Sequence, residues 1–352
     1  MKKIIEIDRL KYHTIQDLLL DYDFIKHPTS DQIIFLDLNE AGHYYPYSTT
    51  QHWKFNSLYH IYKNLHIKNY KNTYFYNNDI NLDYNHNKLK ELMQIKESIN
   101  VKCFPWYTVC RGFKRGDFAL ENVNRGLLYN VIFMCGEQRL NRIMILNELH
   151  EFDTFAYSNR NPRIENLEVI NFIDFLEDDS IFINGIKTNS DVIAPSLVFQ
   201  KGSWCTSIRK ELTDRQDINI LGDVPEEYLY SGIELVGESY TDKGCCLTEK
   251  VLKPLFYKKP FISMASKGYH TFLKKQGFYL YDELFDYSFD NSPFKIRFQS
   301  LMSQMKTILE LSSKNLKNQI NSIQSKLDYN HDLIIKKVKE NNYCLDVENF
   351  YD

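Results

Sequence analysis

Short apolar runs alternate along this chain with segments whose apolar residues fall at helical spacing. DQIIFLDL (Asp31 to Leu38) reads as a buried strand that ends in the polar cluster Asn39 to His43. Trp53 to Leu65 follows with apolar residues near helical spacing, and NTYFYNND (Asn72 to Asp79) reads as a second strand. Leu89 to Ile99 then predicts a second helix and Val101 to Val109 a third strand. This βαβαβ order predicts an α/β fold with a parallel sheet and helices on its faces.

CRGFKRGD (Cys110 to Asp117) breaks the pattern with basic residues and two glycines, and reads as part of a linker ending near residue 125. The alternation restarts with LLYNVIFMCG (Leu127 to Gly136), a strand running into a glycine turn, and an amphipathic helix from Glu137 to Phe152. TFAYSN, LEVINFIDFL and VIAPSLVFQ are further strand or short-helix candidates, and Tyr228 to Ser239 leads into another strand. Beyond Phe294 the apolar residues Leu301, Met305, Ile308, Leu316, Ile320, Ile323 and Leu327 keep steps of three and four, with one wider step across Ser312. That predicts one long amphipathic helix or two joined ones. The expected division is an N-terminal domain over 1–124, a second over 125–300 and a helical extension over 301–352.

At 352 residues, the chain exceeds the usual size of one hydrophobic core, so two domains are expected. A net charge of −3 does not mark the whole chain as a nucleic-acid binder. The seven cysteines form no CxxC pair and no Cys/His zinc pattern, which favours reduced thiols. No apolar run reaches membrane-spanning length, and Met1 to His13 lacks a signal-peptide core. A GxGxxG fingerprint and a Walker A loop are both absent, which lowers the weight of dinucleotide dehydrogenases and P-loop enzymes. Neither DYD (Asp21 to Asp23) nor Asp178-Asp179 follows a clear buried strand, so no metal site is expected.

Residues 232–286 concentrate the candidate chemistry. They contain Glu238, a polar loop, the triplet Thr248-Glu249-Lys250, a helix-like run and the apolar PFISM. Strand, polar loop, helix and strand in this order are how α/β proteins hold an anion at a helix N-terminus. Thr248 would cap the helix, Glu249 in its first turn would accept hydrogen bonds from ribose hydroxyls, and Lys250 would bring a charge to a diphosphate. Taken alone, the triplet also reads as the ordinary capped start of a surface helix.

The whole stretch resembles the donor-binding signature of the family 10 fucosyltransferases and of the fucosyltransferase-like proteins of phages and large viruses. The matching residues are Glu238, Thr248, Glu249, Lys250, and the run from Lys253-Pro254-Leu255 to Pro260-Phe261-Ile262; Gly277 to Asp290 is similar to the viral branch. The resemblance implies the GT-B architecture, two Rossmann-like domains facing a central cleft. It also implies inverting, metal-independent transfer from a nucleotide-diphosphate sugar, with a GDP-sugar favoured, a UDP-sugar possible and no further cofactor.

By the same resemblance, Arg142 in RLNRIMILNEL is the diphosphate clamp and Arg139 its helper, against the alternative of a solvated helix arginine. Glu238 then contacts the donor sugar or orients Lys250, unless it is a satisfied strand-end carboxylate; Tyr240 lines the same pocket. The chain departs from the family in having Gly237-Glu238-Ser239 for Phe-Glu-Asn, in one extra residue of spacing, and in Cys246 where the family has an aromatic near the nucleotide. The general base is expected at a strand end of the N-terminal domain: Glu40, with His43 and Asp37 as alternatives. The acceptor is either a glycan or a hydroxymethylated base of phage DNA, the latter favoured by Arg111, Lys114 and Arg115. With no membrane anchor of the kind carried by the family's Golgi members, the expected location is the cytoplasm, that of a host cell for a viral protein. The alternative is a non-catalytic nucleotide-sugar-binding or interaction protein of the same fold, and the oligomeric state stays open.

Overall fold

The computed structural model describes residues 2–7, 32–37, 58, 61–62, 70–80, 82–106, 109–110, 127–135, 140–149, 152–159, 226–238, 241 and 247–341. The chain forms two compact units, Met1–Thr108 with Asp242–Leu247 and Tyr343–Asp352, and Val109–Thr241 with Thr248–Asn342. Among the described residues each contains a four-stranded parallel sheet, as the alternation of strands and helices predicts.

In the first unit, β1 (Lys2–Ile7), β2 (Gln32–Asp37), β3 (Thr73–Asn77) and β4 (Asn100–Cys103) lie side by side in sequence order. Consecutive buried residues in β2, Ile34, Phe35 and Leu36, mark a strand covered on both faces. The N-terminal segment, which lacks a signal-peptide core, forms β1, paired from Lys2–Gln32 to Ile7–Asp37. Leu58, Ile61 and Tyr62, inside the predicted helix 53–65, are helical and buried.

The helix expected over 89–99 is α1 (Leu82–Met93). Its buried face is Leu82, His86 and Leu89, at steps of four and three. Gln94, at φ 54, ends it in a left-handed turn, with Ile95 N–H reaching Lys90 O at 2.9 Å and Gln94 N–H reaching Glu91 O at 3.2 Å. The third strand is likewise shorter than 101–109. Phe104 N–H still bonds Asn77 O at 2.9 Å, but a turn follows at Pro105, and Val109 and Cys110 are helical.

In the second unit the strands are β5 (Tyr129–Cys135), β6 (Phe155–Asn159), β7 (Ser231–Gly237) and β8 (Phe261–Met264), in the order β6-β5-β7-β8. From β5 the chain steps to one side for β6 and to the other for β7, so the strand order reverses between β5 and β7. Helix α2 (Leu140–Leu149) follows β5, the single turn α3 (Glu226–Leu229) precedes β7, α4 (Glu249–Phe256) joins β7 to β8, and α5 (Tyr269–Lys275) follows β8.

The C-terminal helical segment is three helices, α6 (Phe294–Leu309), α7 (Ser313–Ser322) and α8 (Gln324–Asn341). Ser312, at the wider step, caps α7 by accepting from Asn315 N–H at 3.3 Å. These helices are tied to the sheet by polar groups as well as by their apolar faces. Asn130 of β5 donates to the carbonyls of Ile308 at 2.9 Å and Leu311 at 2.8 Å, and Thr154 donates to Leu309 O at 2.9 Å, so the open end of α6 is satisfied by side chains. His331 of α8 does the same for α4 through Phe256 O at 2.8 Å. Among the described residues, no helix is long and apolar enough to cross a membrane.

A buried ionic cluster fixes α4 to β7. Glu234 accepts from Tyr228 Oη at 2.6 Å and faces Lys253 Nζ at 3.5 Å. Lys259 Nζ donates to the carbonyl and the hydroxyl of Ser231. Both ammonium groups lie over the Tyr228 ring, at 5.4 Å and 4.8 Å. Burial pushes Lys259 down to about 7, against the opposing pull of Glu234.

In the first unit, Tyr62 Oη accepts from Ile99 N–H at 3.1 Å and shares a hydrogen bond with His86 Nε2, 2.6 Å away. Burial, and then the charge of Lys90, lower His86 from 6.5 to about 4. The folded state therefore binds fewer protons than the unfolded chain between pH 4 and 6.5. Stability from this group is complete above pH 6.5 and is lost as pH falls toward 4. Melting temperatures measured at pH 7, 5.5 and 4.5 should fall more steeply for the parent than for His86→Gln, which keeps a hydrogen-bonding side chain but does not titrate.

Candidate functional site

Ligands of open parallel sheets bind beyond the carboxyl ends of the strands where strand order reverses. In the second unit that place is the end of β7 beside β5, at Gly237 and Glu238. Helix α2 starts after β5 and α4 after β7, so the topology puts both N-termini, with their partial positive charge, at this edge.

The backbone of Gly237 and Glu238 recruits α2. Arg142, which is 2% exposed, donates from Nε at 3.2 Å and Nη2 at 3.0 Å to Gly237 O, and Asn141 Nδ2 donates to Glu238 O at 3.2 Å. Glu238 N–H donates to Met264 O at 3.0 Å, so the residue after β7 stays paired to the end of β8. The approach of Arg142 depends on the glycine. A Cβ at residue 237 would meet Phe133 Cε2 at 2.9 Å and Arg142 Cγ at 3.2 Å. The Phe133 ring of β5 fills the neighbouring space.

Thr248 caps α4 as expected. Its backbone is extended (φ −113, ψ 173) and Oγ1 accepts from Lys250 N–H at 3.3 Å. The same oxygen receives Lys250 Nζ at 3.3 Å and gives its own hydrogen to Glu238 Oε2 at 2.7 Å. The other Glu238 oxygen, Oε1, accepts from Tyr269 Oη at 2.8 Å. Glu238 and Thr248 are buried and Lys250 is half-buried. The loop after β7 is held from a third side by Arg297 of α6, which donates to Thr241 O and Ser292 O.

Of the predicted site residues, Arg142, Glu238, Thr248 and Lys250 are thus linked around a single strand end. Glu249 is the first residue of α4, and Asp37 is the last of β2; their side chains lie outside the described residues, as do Arg139, Tyr240, Cys246, Glu40 and His43. Four residues that complete the arrangement, Asn141, Gly237, Arg297 and Tyr269, escaped the sequence reading as contributors. The signal for Tyr269 was its place at the first helical position after PFISM, on the same carboxyl edge as Glu238. Chemically, a guanidinium, an ammonium and two helix N-termini converge on one edge, an arrangement suited to an anion.

Gly237→Ala should force Phe133 or Arg142 to move and destabilise the protein by about 1–3 kcal/mol, read as a lower urea midpoint with an unchanged slope. Gly232→Ala, also on β7 with close neighbours at 3.0 Å, is the control for a steric cost away from the site.

No protein-family model matches the chain, and no curated protein matches it. A solved structure similar to this chain is that of the DNA-modifying enzyme β-glucosyltransferase, determined in the presence and absence of its substrate uridine diphosphoglucose. The two are 13% identical with a TM-score of 0.41, over 99% of this chain and 80% of that one.

Proposed function

We propose that this chain is an inverting, metal-independent glycosyltransferase of the GT-B architecture, moving a sugar from a nucleotide-diphosphate donor to a hydroxyl. The observation that carries the reading is the convergence of Arg142 and the Thr248-capped Lys250 on the end of β7, where strand order reverses. The resemblance of residues 232–286 to the fucosyltransferase donor signature supports the same assignment.

In this reading the acceptor oxygen attacks the anomeric carbon, the bond from that carbon to the diphosphate breaks, and configuration inverts. The negative charge that develops on the leaving diphosphate is met by Arg142, Lys250 and the N-termini of α2 and α4, the work a metal ion does in other transferases. Glu249 holds the ribose hydroxyls, and Arg139, Tyr240 and Cys246 border the nucleotide. The acceptor proton passes to a general base, for which the sequence nominates Glu40, with His43 and Asp37 as alternatives. A GDP-sugar is the favoured donor and a UDP-sugar the alternative. The acceptor is a glycan or a hydroxymethylated base of DNA, in the cytoplasm of a host cell for a viral enzyme. A non-catalytic nucleotide-sugar-binding protein is the second reading. It is favoured by Glu238, whose two oxygens are already engaged by protein hydroxyls, and by the departures at Gly237 and Ser239.

Titration of the full chain with GDP and UDP, followed by donor turnover with a panel of sugar nucleotides, separates these readings. Lys250→Ala should weaken nucleoside-diphosphate binding about 10- to 100-fold, the size of a lost charge-assisted hydrogen bond. Turnover supports the enzyme, binding without turnover supports the second reading, and absence of any binding overturns both. A DNA acceptor predicts retention on DNA at low salt that weakens steeply as salt rises.

A further inference from the structure

Glu238 is the only described acid at the strand end beside Thr248, and what sets its position is a residue from a distant part of the chain. The Tyr269 ring is 1% exposed, and its hydroxyl donates to Glu238 Oε1 at 2.8 Å. Burying a phenol hydroxyl is unfavourable unless it has a partner, and here the partner is a buried carboxylate.

The surroundings of Tyr269 are built to aim it. Gly268 takes a left-handed conformation (φ 78), turning the chain from β8 into α5, and its N–H bonds Asp290 O at 3.0 Å. Asp290 then gathers the first turn of α5. Its Oδ1 accepts from His270 N–H at 3.1 Å and from His270 Nδ1 at 2.8 Å, and its Oδ2 accepts from Thr271 N–H at 2.8 Å and Thr271 Oγ1 at 2.7 Å. His270 Nε2 in turn accepts from Ser263 N–H of β8 at 3.1 Å, which fixes the proton on Nδ1. The residues on either side of Tyr269 are therefore anchored, and little freedom is left for its hydroxyl.

From Tyr269 the hydrogen bonds run in one direction. With Tyr269 donating to one oxygen of Glu238, the other faces Thr248. Because Thr248 spends its only hydrogen on Glu238, it presents lone pairs to Lys250, which donates from both its backbone N–H and Nζ. We propose that Tyr269 is a positioning residue of the donor site, which through Glu238 and Thr248 holds the Lys250 ammonium where it meets the donor's diphosphate. This inference rests on the glycosyltransferase reading of the site and assigns Glu238 to orienting Lys250 instead of contacting the sugar.

The test is a double-mutant cycle in the full chain, read by calorimetric titration with GDP and with UDP. Tyr269→Phe removes one hydroxyl and keeps the ring. It should weaken nucleoside-diphosphate binding about tenfold. In a Lys250→Ala background the same substitution should change the affinity less than twofold, because its effect passes through Lys250. An equal loss in both backgrounds makes Tyr269 a general packing residue and overturns the inference, as does unchanged affinity in Tyr269→Phe while Lys250→Ala weakens binding. In either case the glycosyltransferase reading stands. Failure of the parent to bind GDP or UDP removes that reading and this inference together. If Tyr269→Phe lowers the melting temperature too far to titrate, Thr248 carries the same test: Thr248→Ser should retain affinity and Thr248→Val should lose it. Equal affinity of the Ser and Val variants overturns the relay.

Discussion

A buried carboxylate has to be surrounded by donors, and much of the second unit's local structure follows from that requirement at Glu238. Left unpaired, a charge at 2% exposure costs several kcal/mol or is neutralised. The donors come from two separate elements, the capping residue of α4 and the first residue of α5, so satisfying one charge fixes the starts of two helices. The adjoining backbone recruits a third: the carbonyls of Gly237 and Glu238 receive Arg142 and Asn141 from the first turn of α2. Three helices thereby begin at one point of the sheet edge, the point where strand order reverses.

The parts of this fold that were legible in the sequence are those whose signal is local. β2, β3, β5 and β8 are apolar runs of strand length, and they lie where the runs lie. β1 opens with two lysines, has Glu6 within its isoleucines and pairs as an edge strand in the described sheet, so it shows no long apolar run. Apolar spacing places the helix α1 too late in the chain because its buried face is Leu82, His86 and Leu89 within a polar sequence. Its end is a left-handed Gln94, without the glycine that usually marks such a stop. Ser312 showed as a wider step in the apolar spacing, whereas the break at Ile323 leaves the spacing intact.

At the site the same division holds. Thr248 and Lys250 are two residues apart, and a cap is written in neighbouring residues. Tyr269 meets Glu238 across 31 positions, and nothing short-range ties a tyrosine after β8 to an acid after β7. Gly237 was visible only as a departure from the resembled family. Its reason is tertiary, since the Phe133 ring and Arg142 occupy the volume a side chain would need.

Strand β7 and helix α4 carry two acid–lysine pairings, and their differences separate scaffold from function. Glu234 and Glu238 are four residues apart and so face the same side of the strand; Lys250 and Lys253 are three apart and share one side of the helix. Lys253 meets Glu234 directly, is 6% exposed, and stacks over Tyr228. A charge balanced by a carboxylate in that way can hold α4 on the sheet but offers little net charge to a ligand. Lys250 is joined to Glu238 through the Thr248 hydroxyl, and it is half-buried. The Thr248 hydroxyl thus orients the ammonium, and more of the Lys250 surface is accessible than of the Lys253 surface. Burial and charge thus favour Lys253 as the anchor and Lys250 as the residue available to an incoming anion, although both lie on one helix of eight residues.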